Sequence, residues 1–468
     1  MLSILTISSV FVAAFVVAVL SGIGWAFVAV YLPALILLNQ LPQINIPHAP
    51  MAAQFAPLYA ILLAMPFRGD SLRFRICSVD IIFFLLLISA AITAWTTEVF
   101  ETGINALRTD FFTLTAPYLM ARIVFKDWEM RRAALFVMMG LMGVIFLAAL
   151  IEFRLTPYFY LHMLQNLGMG NKIQAMAYTR YGFYRVAGPV EHPIYFGNMC
   201  VVLFGMVAVL ASTSGFGIWR YRVLFTLGMT LLCIFMSISF TPYVGTIATV
   251  MVFSTLMLVP FTRKLVLPLT LLIFGALFAY TYNAATTKLG EKPSGDLPGS
   301  MWTRKLIVQE SWHKARDAGP FGYGLRADLQ ENEGDDDRFD LKSVDNTYMN
   351  YTLTHGWVYT ALWISIGVFF SFRMTRAFNA ITHPSQIFPL TVATATVLAL
   401  MVSMYTVWAG ALYTVIWVIM LGLANTLIDG VLEARRVGTS QRRGFGVVRP
   451  LAGSSAFRPQ PVMRIAQP

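Results

Sequence analysis

The strongest constraint on this chain is the recurrence of apolar runs of about 17–25 residues, the length that crosses a hydrocarbon core of about 30 Å. They fall near 4–20, 24–38, 52–65, 81–96, 111–123, 133–151, 194–211, 223–240, 243–260, 265–280, 351–372, 387–407 and 410–428. In lipid, every backbone N–H and C=O needs a partner inside the protein, so such runs fold as helices. Several are short, and 4–38 reads either as a tight hairpin or as one long irregular element, so twelve or thirteen spans are expected. The chain is 12% charged, against about 25% in a soluble domain. The expected fold class is an all-α polytopic membrane protein. The N-terminal run precedes no convincing cleavage site and reads as a membrane segment, not a removable signal.

Charge placement sets the orientation. Basic residues occupy every second loop: Arg68, Arg73 and Arg75; Lys126, Arg131 and Arg132; Arg220 and Arg222; Arg263 and Lys264; Arg373 and Arg376; then a tail with Arg435, Arg436, Arg442 and Arg443. By the positive-inside rule these loops and the C-terminus are cytoplasmic. That placement accounts for the net charge of +11 without nucleic acid, for which no basic patch interleaved with aromatics is present. Two polar stretches, 154–193 and 283–350, then face the other side. The expected organisation is a bundle over 1–282 including loop 154–193, a large external loop over 283–350, C-terminal spans over 351–428, and a disordered basic tail over 429–468. Cys77, Cys200 and Cys233 form no CxxC pair, so neither a disulfide framework nor a zinc site is indicated. No internal repeat of the kind found in many transporters is visible.

The two external stretches hold the residues capable of chemistry. Arg180 and Arg185 precede a span together with His192. An external arginine suits bidentate recognition of phosphate oxygens; a lipid headgroup or Glu191 is the plainer partner. In the larger loop, Trp302, Ile307, Trp312 and Ala315 follow helical spacing, predicting an amphipathic helix over 301–318. Gly319-Pro320-Phe321-Gly322-Tyr323-Gly324 breaks it. Arg304 and Lys305 on this helix serve either an anionic substrate or simple snorkelling to lipid phosphate. The acidic run Glu331, Glu333, Asp335, Asp336 and Asp337 lacks the spacing of a calcium loop and reads as a solvated turn, so no metal is expected. Asp345 and Asn346 are placed to cap the next span, with Tyr348 in its first turns. Asp345 also has the chemistry of a general base, as do His192 and His355; His355, in an otherwise apolar span, is equally readable as a bonded intramembrane histidine.

Three of these patterns together resemble the superfamily of O-antigen ligases and O-unit (Wzy-type) polysaccharide polymerases of the bacterial envelope. They are Arg185-Val-Ala-Gly188-Pro-Val-Glu-His192-Pro193 before a span; Arg304, Trp312 and Gly319-Pro320-Phe-Gly322-Tyr-Gly324 in the large loop; and Asp345-Asn346-Thr-Tyr348 followed by Gly356. The resemblance covers roughly 111–428. It implies about twelve spans in a GT-C-like arrangement, with a large periplasmic loop bearing short amphipathic helices. It implies an inverting, metal-independent glycosyl transfer without cofactor, in the bacterial inner (cytoplasmic) membrane. Donor and acceptor would both be lipid-linked oligosaccharides, the donor carried on undecaprenyl pyrophosphate. Membrane lipid, a chain-length regulator and export machinery are the further partners implied. Arg185 and Arg304 would stabilise the pyrophosphate leaving group and Asp345 would deprotonate or orient the acceptor. Arg180, His192, Asn346, Tyr348 and His355 would bind substrate. The ligases carry histidine where this chain has Asp345, and glutamate is frequent where it has His355. That departure favours a repeat-unit polymerase over a ligase that transfers glycan to the lipid A core. A polysaccharide flippase or carrier, which would place more charge inside spans and show two similar halves, is the alternative of another class.

Overall fold

The computed structural model describes residues 2–41, 52–68, 75–97, 100–169, 179–287, 296–324, 346–405 and 411–442. Seventeen α-helices occupy most of them. They are α1 (Leu2–Leu20), α2 (Ile23–Ala26), α3 (Leu32–Leu37), α4 (Ala56–Arg68), α5 (Ser78–Thr97), α6 (Phe100–Asp110), α7 (Ala116–Val124), α8 (Trp128–Arg154), α9 (Phe159–Asn166), α10 (Pro193–Thr213), α11 (Tyr221–Met236), α12 (Phe240–Leu258), α13 (Val266–Thr286), α14 (Asp296–Asp317), α15 (Thr347–Phe378), α16 (Ile387–Ser403) and α17 (Ala411–Arg442). Each of the thirteen apolar segments coincides with a helix. Among the described residues, nine helices are long and apolar enough to cross a membrane, and the stretches Ile23–Leu37, Ala56–Phe67 and Tyr221–Met236 are shorter apolar helices. The protein is an all-α, multi-pass membrane protein. Its one sheet among these residues is a small hairpin, β1 (Thr179–Arg180) with β2 (Phe183–Tyr184).

Burial separates an inner set of helices from an outer one. The apolar windows of α10 and α17 are 83% buried, whereas that of α1 is 17% buried. Lipid tails solvate the remaining apolar surface of α1 at no cost, so this is the arrangement a bilayer permits. Trp363 of α15 and Trp417 of α17 are fully buried and meet at a ring separation of 5.5 Å, marking the middle of the bundle.

One end of the bundle is held by charge. Arg122 in α7 forms ion pairs with Asp80 of α5 and Asp429 of α17. Asp429 also pairs with Arg373 of α15 at 2.6 Å. Tyr118 donates to Asp80 at 2.7 Å. Four helices are therefore joined by one buried network. Arg122 also donates to the Arg75 carbonyl, and Arg435 to the Asn379 carbonyl, so basic turns from distant parts of the sequence gather at this same end. Removing one member of such a network strands the others in a medium that solvates charge poorly, at about 3–5 kcal/mol. Arg122→Met is therefore expected to lower the thermal midpoint in detergent clearly; an unchanged midpoint would mean that water, not the network, solvates these carboxylates.

Two boundaries differ from expectation. The expected tail does not begin at 429: α17 continues to Arg442, carrying Asp429 into the ion network. The apolar segment starting at 111 is preceded by α6, a helix with a polar face that joins α7 through a π-helical turn, Phe111–Thr115.

Candidate active site at the opposite end of the bundle

The end of the bundle away from the ion network carries 179–193, α14 and the start of α15. The stretch around Arg185 is held by a buried acid. Glu152, in the last turn of α8, accepts from the backbone N–H of Ala187 at 2.9 Å and of Gly188 at 3.1 Å. Val186 donates its N–H to the Met236 carbonyl at 3.2 Å. Immediately before these anchors Arg185 is buried, with its Nη2 donating to Ser239 Oγ at 2.7 Å and its Nε facing the Ser237 carbonyl at 3.5 Å. His192 is the N-cap of α10, its Nδ1 accepting from Ile194 N–H at 3.2 Å. Burial, with Arg185 beside it, pushes the His192 imidazole down to about 4, so the ring is neutral at neutral pH and remains an acceptor. Arg180 lies in the hairpin and is exposed.

The second half of the site is a break in α15. The helix starts at Asn346, whose side-chain oxygen accepts from the N–H of Tyr348 at 3.0 Å and of Met349 at 3.2 Å. Asn346 thus performs the capping expected of this dipeptide. Ten residues into the helix the backbone leaves α geometry at Gly356, with φ 85° and ψ 169°. The glycine-rich stretch after α14 fits into this break. Tyr323 N–H donates to the Leu353 carbonyl at 2.7 Å, Gly324 N–H to the Thr354 carbonyl at 2.9 Å, and Val358 N–H to the Pro320 carbonyl at 3.3 Å. Carbonyls freed by the kink are satisfied by the inserted loop, as buried backbone requires. The approach is so close that a Cβ on Gly322 would meet Gly356 N, and one on Gly356 would overlap the Pro320 carbonyl.

The break presents His355. Its Nε2 lies 3.5 Å from Asp110 Oδ2, and its Nδ1 lies 2.7 Å from Thr354 Oγ1. Tyr359 donates to the same Asp110 oxygen at 3.3 Å and stacks on the His355 ring at 4.5 Å. The His355 carbonyl accepts from Thr93 of α5 at 3.2 Å. Asp110 sits at the junction of α6 with the π-turn, a backbone form that recurs at functional sites. Thr93 is thirteen residues beyond Asp80 on α5, which places the pair about 20 Å from the ion network at 1.5 Å rise per residue.

Aromatic contacts extend from each half. His192 meets Tyr195 at 5.5 Å, Tyr195 stacks with Tyr413 at 6.1 Å, and Tyr351 meets the His355 ring at 6.0 Å. On another face of α15 is a largely apolar cavity of about 730 Å³, lined by Phe278, Trp312, Arg316, Tyr348, Trp357 and Tyr405 among others. Tyr348 borders it, and its hydroxyl donates to the Met401 carbonyl at 2.7 Å.

Compared with family models, with curated proteins and with solved structures, the chain matches none.

Of the residues singled out in the sequence, Arg185 and His192 come together on one side, and Asn346, Tyr348 and His355 share the first turns of α15. Asp345 lies outside the described residues, as does the acidic run. Arg304 falls in α14, as expected, but its side chain is outside the described portion. Asp110, Glu152, Thr354 and Tyr359 were not anticipated. The available signal was an acid at the edge of an apolar segment, true of both Asp110 and Glu152, since acids there are costly and need a partner. Among the described residues, no group of three or more His, Cys, Asp and Glu side chains is placed to hold a metal ion.

Proposed function

We propose that this chain is a polymerase that joins undecaprenyl-pyrophosphate-linked oligosaccharide repeat units into an exopolysaccharide or O-antigen. In this reading it is a GT-C-like protein of about twelve spans in the bacterial inner membrane, with 154–193 and 283–350 on the periplasmic side. The observation that carries the reading is a buried arginine, Arg185, fixed in the stretch before α10, with an acid–imidazole pair, Asp110 and His355, at the break in α15 toward the same end of the bundle. Transfer of a glycosyl group breaks the anomeric C–O bond and releases a pyrophosphate, whose developing charge calls for a fixed cation. Arg185 supplies one, and Arg304 on α14 is the second. The attacking hydroxyl must lose its proton, and a carboxylate or imidazole near it performs that task. Asp345, one residue before the cap of α15, is placed in the chain to deprotonate or orient the acceptor. Arg180, His192, Asn346, Tyr348 and His355 complete the contacts to substrate.

Two experiments test this. In source cells lacking this chain, single lipid-linked repeat units should accumulate and polymer should vanish; polymer of normal length would remove the reading. Sidedness is read by thiol labelling. All three native cysteines are buried, so one introduced thiol reports cleanly. Tyr181 is 89% exposed and Val437 is 52% exposed. Tyr181→Cys is expected to react with a membrane-impermeant maleimide in intact spheroplasts, and Val437→Cys only after permeabilisation. The reverse pattern would place the Arg185 stretch in the cytoplasm, where the donor sugars are not displayed.

A further inference from the structure

We propose that the proton released by the acceptor hydroxyl is taken up by His355 through the Thr354 hydroxyl, with Asp110 as the positioning residue that holds the imidazole. This rests on the glycosyl-transfer reading above and names the base of that same site.

Hydrogen-bond accounting around the ring supports it. Thr354 has one hydroxyl hydrogen and two acceptors within reach: the Asn350 carbonyl at 2.8 Å and His355 Nδ1 at 2.7 Å. With the ring neutral, Thr354 donates to Nδ1 and the ring's Nε2 faces Asp110 Oδ2 at 3.5 Å. With the ring protonated, Nδ1–H donates to Thr354, whose own hydrogen turns to the Asn350 carbonyl. Nδ1 therefore keeps a hydrogen bond to Thr354 in both charge states, which differ by one proton and one rotation of the Thr354 hydroxyl. The carboxylate of Asp110 stands opposite the charge that appears, and Tyr359 keeps it in place from α15 itself. The backbone is equally fixed, because the Thr354 carbonyl is held by Gly324 and the His355 carbonyl by Thr93.

Thr354 and His355 are partly buried, the His355 side chain 12% exposed, and the relay requires the acceptor hydroxyl to reach the Thr354 oxygen. The acceptor O–H breaks and its proton passes to Thr354 Oγ1 while the proton of Thr354 passes to His355 Nδ1. The acceptor oxygen forms the new bond to the anomeric carbon. The anomeric bond to the pyrophosphate breaks, and its electron pair leaves on the pyrophosphate oxygen. The imidazolium, paired with Asp110, returns its proton to water after the product departs. Asp345 is then left to orient the acceptor.

The test uses purified full-length protein and lipid-pyrophosphate oligosaccharides extracted from cells lacking this chain. Wild type, His355→Gln, Asp110→Asn, Thr354→Val and Thr354→Ser are compared for kcat and KM. His355→Gln and Thr354→Val should lose about 10²–10⁴-fold in kcat, the span of general-base catalysis. Their KM should stay within about threefold, the signature of an interaction made only in the transition state. Thr354→Ser keeps the hydroxyl and should stay within about tenfold of wild type, while Asp110→Asn should fall between the two. Thr354→Val as active as Thr354→Ser would overturn the relay, even if His355→Gln failed to fold. His355→Gln within about threefold of wild type would overturn the base. Absence of elongation by wild type would overturn the polymerase reading and this assignment together, and is distinguishable because it shows before any variant is examined.

Discussion

Arg185→Ala is expected to abolish elongation while leaving the protein in the membrane. The side chain is buried at the start of a stretch pinned by Glu152 and by the Met236 carbonyl, so its guanidinium is aimed by backbone that cannot easily shift. A fixed cation facing a leaving pyrophosphate stabilises charge that develops only in the transition state, and loss of one such donor costs about 10²–10³ in kcat. Arg185→Lys should recover little. The guanidinium reaches Ser239 Oγ through Nη2 while Nε faces the Ser237 carbonyl, and a lysine ammonium is a single point that cannot reproduce the fork. Ser239→Ala, which removes one contact of the head but no charge, should cost far less. The measurement is chain length of the product together with the amount of protein in the membrane. Normal chains from Arg185→Ala would make this arginine a structural tie only.

Gly356→Ala is expected to be nearly as damaging, for a different reason. Gly356 adopts φ 85° and ψ 169°, a conformation open essentially to glycine alone, and forcing another residue there costs about 1–3 kcal/mol. The added Cβ would also overlap the Pro320 carbonyl, so the loop 319–324 would have to leave the break in α15. The spans bury their apolar faces independently of this loop, so insertion into the membrane should be retained. Activity should fall because His355 and Thr354 lose the backbone partners that place them. Hydrogen exchange gives the local readout: the amides of Tyr323 and Gly324, which now donate to Leu353 and Thr354, should lose protection. Unchanged protection at both would show that the loop does not depend on the glycine.

Much of the fold was legible because lipid leaves the backbone few choices. Every apolar segment became a helix, and the amphipathic spacing of Trp302, Ile307, Trp312 and Ala315 lies within α14. What was not legible arises from pairing across the fold. Asp110 and Tyr359 are 249 residues apart, and nothing local to either announces the other. Glu152 looks like a charge at a span's edge until the N–H groups of Ala187 and Gly188 turn toward it. The stretch Gly319–Gly324 ends α14, as its glycines and proline predict; its second role, supplying N–H groups to a broken helix elsewhere, depends on a backbone shape that composition does not encode. α6 has a polar face and so is not marked by an apolar run, although it delivers Asp110.

The measurement that bears most directly on the polymerase reading is elongation by the purified protein. Wild-type protein in proteoliposomes, given lipid-pyrophosphate oligosaccharides extracted from cells lacking this chain and no nucleotide sugar, is predicted to yield a ladder of lipid-linked chains spaced by one repeat unit. Substrate recovered unchanged, or moved across the bilayer without lengthening, would contradict it.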